Sequence, residues 1–113
     1  MEIDSWKSQL RKGMAELAVL SILDPKERYG LEIIEQLSAD ANLGISAGTV
    51  YPLLNRLRRE GKVESAWRET ANSSHPRKYY VLTKEGRRFL QTLKVEWERL
   101  SIAMDKLCSG KLK

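Results

Sequence analysis

The sequence predicts a mainly α-helical fold with one small β-hairpin and a long C-terminal helix. Three observations predict it. Apolar residues recur at three- and four-residue spacing in three stretches of the first half of the chain and again from Leu90 to Leu107. Two β-favouring segments flank a polar, turn-rich stretch. At 113 residues, 42% hydrophobic and 31% charged, the chain matches one ordinary globular core rather than two.

A first helix is indicated from about Ser8 to Leu23, where Leu10, Met14, Leu17, Ala18 and Ser21 share a stripe and Asp24-Pro25 stops the run. Val19, Leu20, Ile22 and Leu23 add apolar surface on its other sides, so its C-terminal half is expected to be the centre of the core. Asp24 to Tyr29 reads as a loop, and a shorter second helix follows with Gly30, Ile33, Ile34 and Leu37 on one face. Asn42 and Gly44 mark a turn.

Ser46 stands at the N-cap of a third helix, where its hydroxyl can accept a bond from a first-turn amide, and the helix runs to Glu60 before Gly61. Its inner stripe is Val50, Leu53, Leu54 and Leu57. Pro52 lacks an amide proton and crowds the carbonyl of Gly48, so a bend is expected in the first turns. Val63 to Arg68 and Lys78 to Thr83 read as extended segments. The tip between them, Thr70 to Pro76, is too polar to be ordered by its own packing. The order of three helices, hairpin and helix resembles a winged helix-turn-helix over residues 1–83, with residues 84–113 forming a C-terminal dimerisation helix.

Composition excludes much. No apolar run approaches the roughly 18 to 20 residues of a membrane span, and Met1 to Lys12 mixes charges with apolar residues, unlike a signal peptide, so a cytoplasmic location is expected. One cysteine, Cys108, and one histidine, His75, can assemble neither an internal disulfide nor a Cys/His zinc site, so no metal and no cofactor are expected. With no Gly-rich phosphate loop before a helix, no acidic pair in an apolar segment and its single histidine on a hairpin tip, the chain is not expected to be an enzyme. A net charge of +5 favours a polyanionic partner, but a solvated basic surface would carry the same charge, so placement decides.

Opposite its apolar stripe the third helix carries Thr49, Asn55, Arg56 and Arg59, with Tyr51 beside them and Ser46 at the start. An α-helix fits the major groove, where Arg pairs with guanine and Asn with adenine, and hydroxyls near a helix N-terminus hold phosphate. His75, Arg77 and Lys78 cluster where a wing reaches the backbone or minor groove of double-stranded DNA, although Arg77 and Lys78 also guard an exposed strand edge. In the last helix Leu90, Leu93, Trp97, Leu100, Met104 and Leu107 are spaced as a heptad seam, and Ile3 and Trp6 are expected to join it. Roughly 25 residues make a rod about 37 Å long, more than a small core can cover, so a symmetric homodimer is expected. Its two recognition helices would sit about 34 to 36 Å apart and read an inverted-repeat operator. Trp97 can also wall a cavity for a small flat aromatic effector, with plain interface packing as the simpler role. An alternative is a winged-helix module that binds protein through the same faces, for which weak salt dependence is expected.

Three segments carry a family resemblance: Tyr29-Gly30-Leu31-Glu32-Ile33-Ile34; Ser46-Ala47-Gly48-Thr49-Val50-Tyr51-Pro52-Leu53-Leu54-Asn55-Arg56-Leu57; and Arg77-Lys78-Tyr79-Tyr80-Val81-Leu82-Thr83 followed by Gly86. Together they resemble the PadR-type transcriptional regulators of the short variety, with one C-terminal dimer helix. The resemblance implies a winged helix-turn-helix, dimers clasped by the first and last helices, and repression relieved by a small, often aromatic molecule. It places Ser46, Thr49, Tyr51 and Arg56 on the DNA-facing helix and Arg77 and Lys78 on the wing. Trp97 looks like the tryptophan that some short members use to sandwich aromatic ligands, with Leu17 and Ser101 as further candidate contacts, although Ser101 is neither charged nor aromatic.

Overall fold

A computed structural model describes residues 1–69 and 75–110 of the chain. The elements are α1 (Glu2–Leu23), β1 (Arg28–Tyr29), α2 (Gly30–Ala39), α3 (Ala47–Arg59), β2 (Val63–Arg68), β3 (Arg77–Leu82) and α4 (Lys84–Cys108). The three strands form one antiparallel sheet in the order β1-β3-β2, with Ser65 opposite Tyr80 and Arg28 on the other side of Tyr80.

The core is built where the four helices and the sheet converge. Val19 and Leu20 of α1, Ile33 of α2, Val50, Leu54 and Leu57 of α3 and Leu90 of α4 are all fully buried. The expected inner stripe of α3 is buried as read, and Gly30, Ile33 and Leu37 are the buried residues of α2. The helix of α3 continues through Pro52 without interruption, and Gly48, whose carbonyl faces the missing amide, is exposed.

Four expectations are corrected. The first helix begins at Glu2 rather than Ser8, so more than two turns, all exposed, project beyond the core. Its core-facing residues are Ala15, Val19, Leu20 and Leu23, whereas Leu10, Met14 and Leu17 lie on the side turned towards α4. The stretch ahead of α2 is not wholly a loop, because Arg28 and Tyr29 add a third strand to the expected hairpin. Such a strand pairs two residues and carries no alternating pattern long enough to read. Ser46 is the N-cap of α3 in extended conformation, but its hydroxyl makes no cap bond, so it does not close off the first-turn amides. The hairpin tip lies outside the described residues at 70–74.

The start of α4 is fixed by backbone contacts. The Thr83 hydroxyl donates to the carbonyl of Gly61 (2.7 Å) and accepts from the amide of Gly86 (3.0 Å). The Thr83 amide donates to the carbonyl of Lys62 (3.1 Å), and a Cβ on Gly86 would lie 1.9 Å from that same oxygen. Past Leu93 the helix leaves the core, and the molecule measures 60 × 35 × 22 Å as a result.

Gly86→Ala is therefore expected to lower stability by about 2 kcal/mol or more, since backbone has to move to admit the methyl group. Thermal unfolding at fixed protein concentration should show a fall in Tm of roughly 8 °C or more. An unchanged Tm would show that the contact is not needed.

Candidate nucleic-acid interface

The outward side of α3 follows from its buried side. With Val50, Leu53, Leu54 and Leu57 inward, a 3.6-residue turn places Gly48, Pro52, Asn55 and Arg59 opposite them, and all four are exposed. Tyr51 and Arg58 flank that row on the side of the sheet, and Thr49 and Arg56 flank it on the side of α1. Along the outward row Gly48 presents no side chain, Pro52 a ring, Asn55 an amide and Arg59 a guanidinium. Such a surface can approach a base edge closely.

Arg56 differs from the other two arginines of the helix. Its guanidinium reaches back to Glu16 of α1 (3.3 Å) and along α3 to Glu60 (3.2 Å). The bond it donates to Glu16 holds it above the ordinary arginine value, against the desolvation that pulls the other way. Glu60 in turn sits below the usual carboxylate range, first because Lys62 donates to it and then because Arg56 does. Glu60's ion pairs are thus complete at neutral pH and are lost as pH falls through the acid range. Arg56 thus joins α1 to α3 rather than standing clear on the outward side of the helix. Arg58 and Arg59 stand exposed.

The wing is built of rings with cations laid over them. The Arg77 guanidinium lies 4.5 Å from the ring centre of Tyr29, which meets Tyr79 edge-on at 5.6 Å. Arg68 approaches the other ring of that pair at 5.4 Å and is ion-paired with Glu27. Contacts of this kind orient long basic side chains without neutralising them. Lys78 lies on the opposite face, 5.9 Å from both Trp67 and Tyr80. Burial among the core side chains pushes the Tyr80 hydroxyl above its ordinary value, so it stays protonated. His75, at the edge of the undescribed tip, is exposed.

A cleft of about 270 Å³ separates α3 from the wing, with Tyr51 and Gly30 on one side and Trp67, Arg77, Lys78 and Tyr80 on the other. Tyr51 packs over Gly30, where a Cβ would come within 3.1 Å of its ring. Trp67 was not among the sequence-derived candidates. The missed signal was its place in the alternation Val63, Ser65, Trp67: the first is buried by the core, and the third runs past the core's edge and is 68% exposed.

A second concavity, about 330 Å³, lies between α1 and α4, walled by Leu10, Met14, Leu17, Leu93, Trp97 and Leu100 with Glu16 and Glu96. Leu17 and Trp97 meet there, while Ser101, one turn further, is partly buried and does not line it. Oε1 of Glu16 is buried and makes no hydrogen bond among the described residues, while Oε2 holds Arg56. Of the seam, Leu90 is fully buried in the chain's own core and thus has no surface for a partner, and Leu93 is partly buried. Trp97, Leu100, Met104 and Leu107 are exposed, as are Ile3, Trp6 and Leu10 of α1.

Glu16→Gln and Arg56→Gln are expected to be non-additive in chemical denaturation, with a coupling of about 0.5 to 1 kcal/mol at low salt that shrinks as salt is added. Strict additivity would mean that the pair does not join the helices.

Comparison with known proteins agrees with this geometry. The model of the transcriptional regulator PadR-like family matches residues 19–92. The chain is similar to an uncharacterised protein of Lysinibacillus sphaericus, 27% identical over 106 residues, which is 92% of this chain and 96% of that one. A PadR family transcriptional regulator from Eggerthella lenta superimposes with a TM-score of 0.80 at 37% identity, covering 94% of this chain and 91% of its own. A PadR-like transcriptional regulator from Bacillus cereus has a TM-score of 0.80 at 31% identity, with 88% and 96% covered.

Proposed function

The chain belongs to the PadR-like family of transcriptional regulators, not to a family of enzymes, and from that premise we propose that it is a homodimeric repressor of the cytoplasm. It binds an inverted-repeat operator in double-stranded DNA and leaves it when a small aromatic molecule is bound. The observation that carries this reading is the pairing, across one cleft, of α3 with its exposed Asn55, Arg58 and Arg59 and a wing bearing Arg77 and Lys78. A helix in the major groove and a cationic wing over the adjoining backbone make complementary contacts, one set reading bases and the other positioning.

Residues 1–83 supply this DNA-binding part, with Ser46, Thr49 and Tyr51 near the phosphates and His75 close to the wing tip. Residues 84–113 supply the dimer helix. α1 and α4 leave Ile3, Trp6, Leu10, Trp97, Leu100, Met104 and Leu107 exposed, and a two-fold axis covers these apolar side chains with a second copy of the chain. The concavity at Leu17 and Trp97 lies against that seam, so an occupant can favour one dimer geometry and thereby one spacing of the two α3 helices. Couplings of this kind are typically about 1 to 3 kcal/mol. Among the described residues no helix is long and apolar enough to cross a membrane.

Fluorescence anisotropy with duplex DNA across a salt series tests the reading. With about six to ten phosphate contacts, affinity should fall by roughly three to five decades between about 50 and 200 mM salt. No binding even at low salt would instead make these faces protein contacts. Arg59→Ala is expected to weaken sequence discrimination by about 1 to 3 kcal/mol, read from competition between operator and random duplex. Leu100→Glu should give a monomer in sedimentation equilibrium, because it places an unpaired carboxylate on the seam.

A further inference from the structure

The cleft between α3 and the wing holds aromatic surface that neither the core nor the ion pairs account for. Trp67 is 68% exposed, yet it sits in a β-strand directly opposite Lys78 and on the same face as the buried Val63 and Tyr80. Facing it across the cleft is Tyr51, also exposed, kept in place by its contact with Gly30. The rim is cationic: the Arg77 guanidinium is laid on Tyr29, and the Lys78 ammonium hangs 5.9 Å from the Trp67 ring. Apolar rings on the walls and cations at the rim form a slot for something flat-sided, weakly apolar and anionic at its edge.

When a helix occupies the major groove and a wing reaches the adjoining minor groove, the strand of sugar and phosphate that divides the grooves has to pass between them. Resting on the DNA-binding reading above, we propose that this cleft seats one strand of the duplex backbone, with Trp67 packing its indole against a deoxyribose while Lys78 and Arg77 hold the flanking phosphates. Trp67 is then a DNA contact of a second kind, contributing affinity by removing apolar surface from water and not by releasing counterions. It acts on any sequence, because every nucleotide presents the same sugar.

The two kinds of contact separate in a salt titration. The full-length chain and its Trp67→Ala, Trp67→Thr and Lys78→Ala variants are titrated onto a random-sequence duplex at several salt concentrations. Trp67→Ala is expected to lose on the order of tenfold in affinity at every salt concentration with an unaltered slope, as befits an uncharged contact. Trp67→Thr, which keeps a strong β-former in the strand, should do the same. Lys78→Ala should instead reduce the salt slope by about one. In a Trp6→Phe, Trp97→Phe background, duplex DNA should quench and shift the remaining indole emission. Wild-type affinity in both Trp67 variants, or an indole emission unmoved by DNA, overturns the assignment while leaving DNA binding intact. Failure of the unsubstituted chain to bind any duplex removes the DNA-binding reading and this assignment with it.

Discussion

A backbone contact that leaves no room for a side chain ties the end of α3 to the start of α4. At the start of α4, the carbonyl of Lys62 occupies the space where any side chain on residue 86 would begin. That carbonyl also receives the Thr83 amide, while the Lys62 amide is bonded to Leu57 near the end of α3. Gly61 makes the intervening turn at a φ of +76°, a conformation that glycine adopts without strain. The end of α3, the start of β2, the end of β3 and the first turn of α4 therefore meet in one backbone junction. Because hydrogen bonds and a Cβ-free contact fix it, the angle between α3 and α4 is set by the main chain. In the proposed dimer, a change in how the two α4 helices pack would be carried to α3 as a rigid displacement, with little side-chain adjustment to absorb it.

Charge is divided on the same plan. Arg56 is turned inwards and lies between Glu16 and Glu60, where partial burial and two carboxylates make it a brace between α1 and α3. Arg58 and Arg59 are left outside. On the wing, Arg77 rests on a ring, which leaves its charge in force for a polyanion while limiting where it can go, whereas Arg68 is also paired with Glu27. Glu16 belongs to both sites, with one oxygen on Arg56 of α3 and the other without a hydrogen bond among the described residues, beside the cavity that Trp97 walls.

Periodicity made most of the fold legible in the sequence. The stripes Val50, Leu53, Leu54, Leu57 and Ile33, Leu37 need only the helical repeat to be seen, and Thr83 and Gly110 bracket α4. What stayed hidden depends on contacts between distant elements. Leu10 and Met14 fall on the apolar stripe of α1, but apolar spacing does not say whether the covering surface is the chain's own or a partner's, whereas Leu17 packs against the core. Leu90 and Trp97 share one seam in sequence, yet the first is fully buried in the core and the second is half exposed on the wall of the concavity between α1 and α4. Arg56 lies on the polar side of its helix, and only the position of α1 shows that Glu16 claims it. The pairing of Arg28 and Tyr29 with β3 is likewise a tertiary event. Trp67 looked like an ordinary strand residue until the edge of the core was located.

In the proposed dimer, two copies joined along α1 and α4 present two α3 helices to one face of a duplex. Hydroxyl-radical footprinting of the full-length protein, on a duplex selected from a random library by its own binding, measures this directly. The account predicts two protected patches related by a dyad, with centres about 34 to 36 Å apart, or a multiple of it, along the helix axis. A single patch without its dyad mate, or uniform protection of the whole duplex, would contradict it.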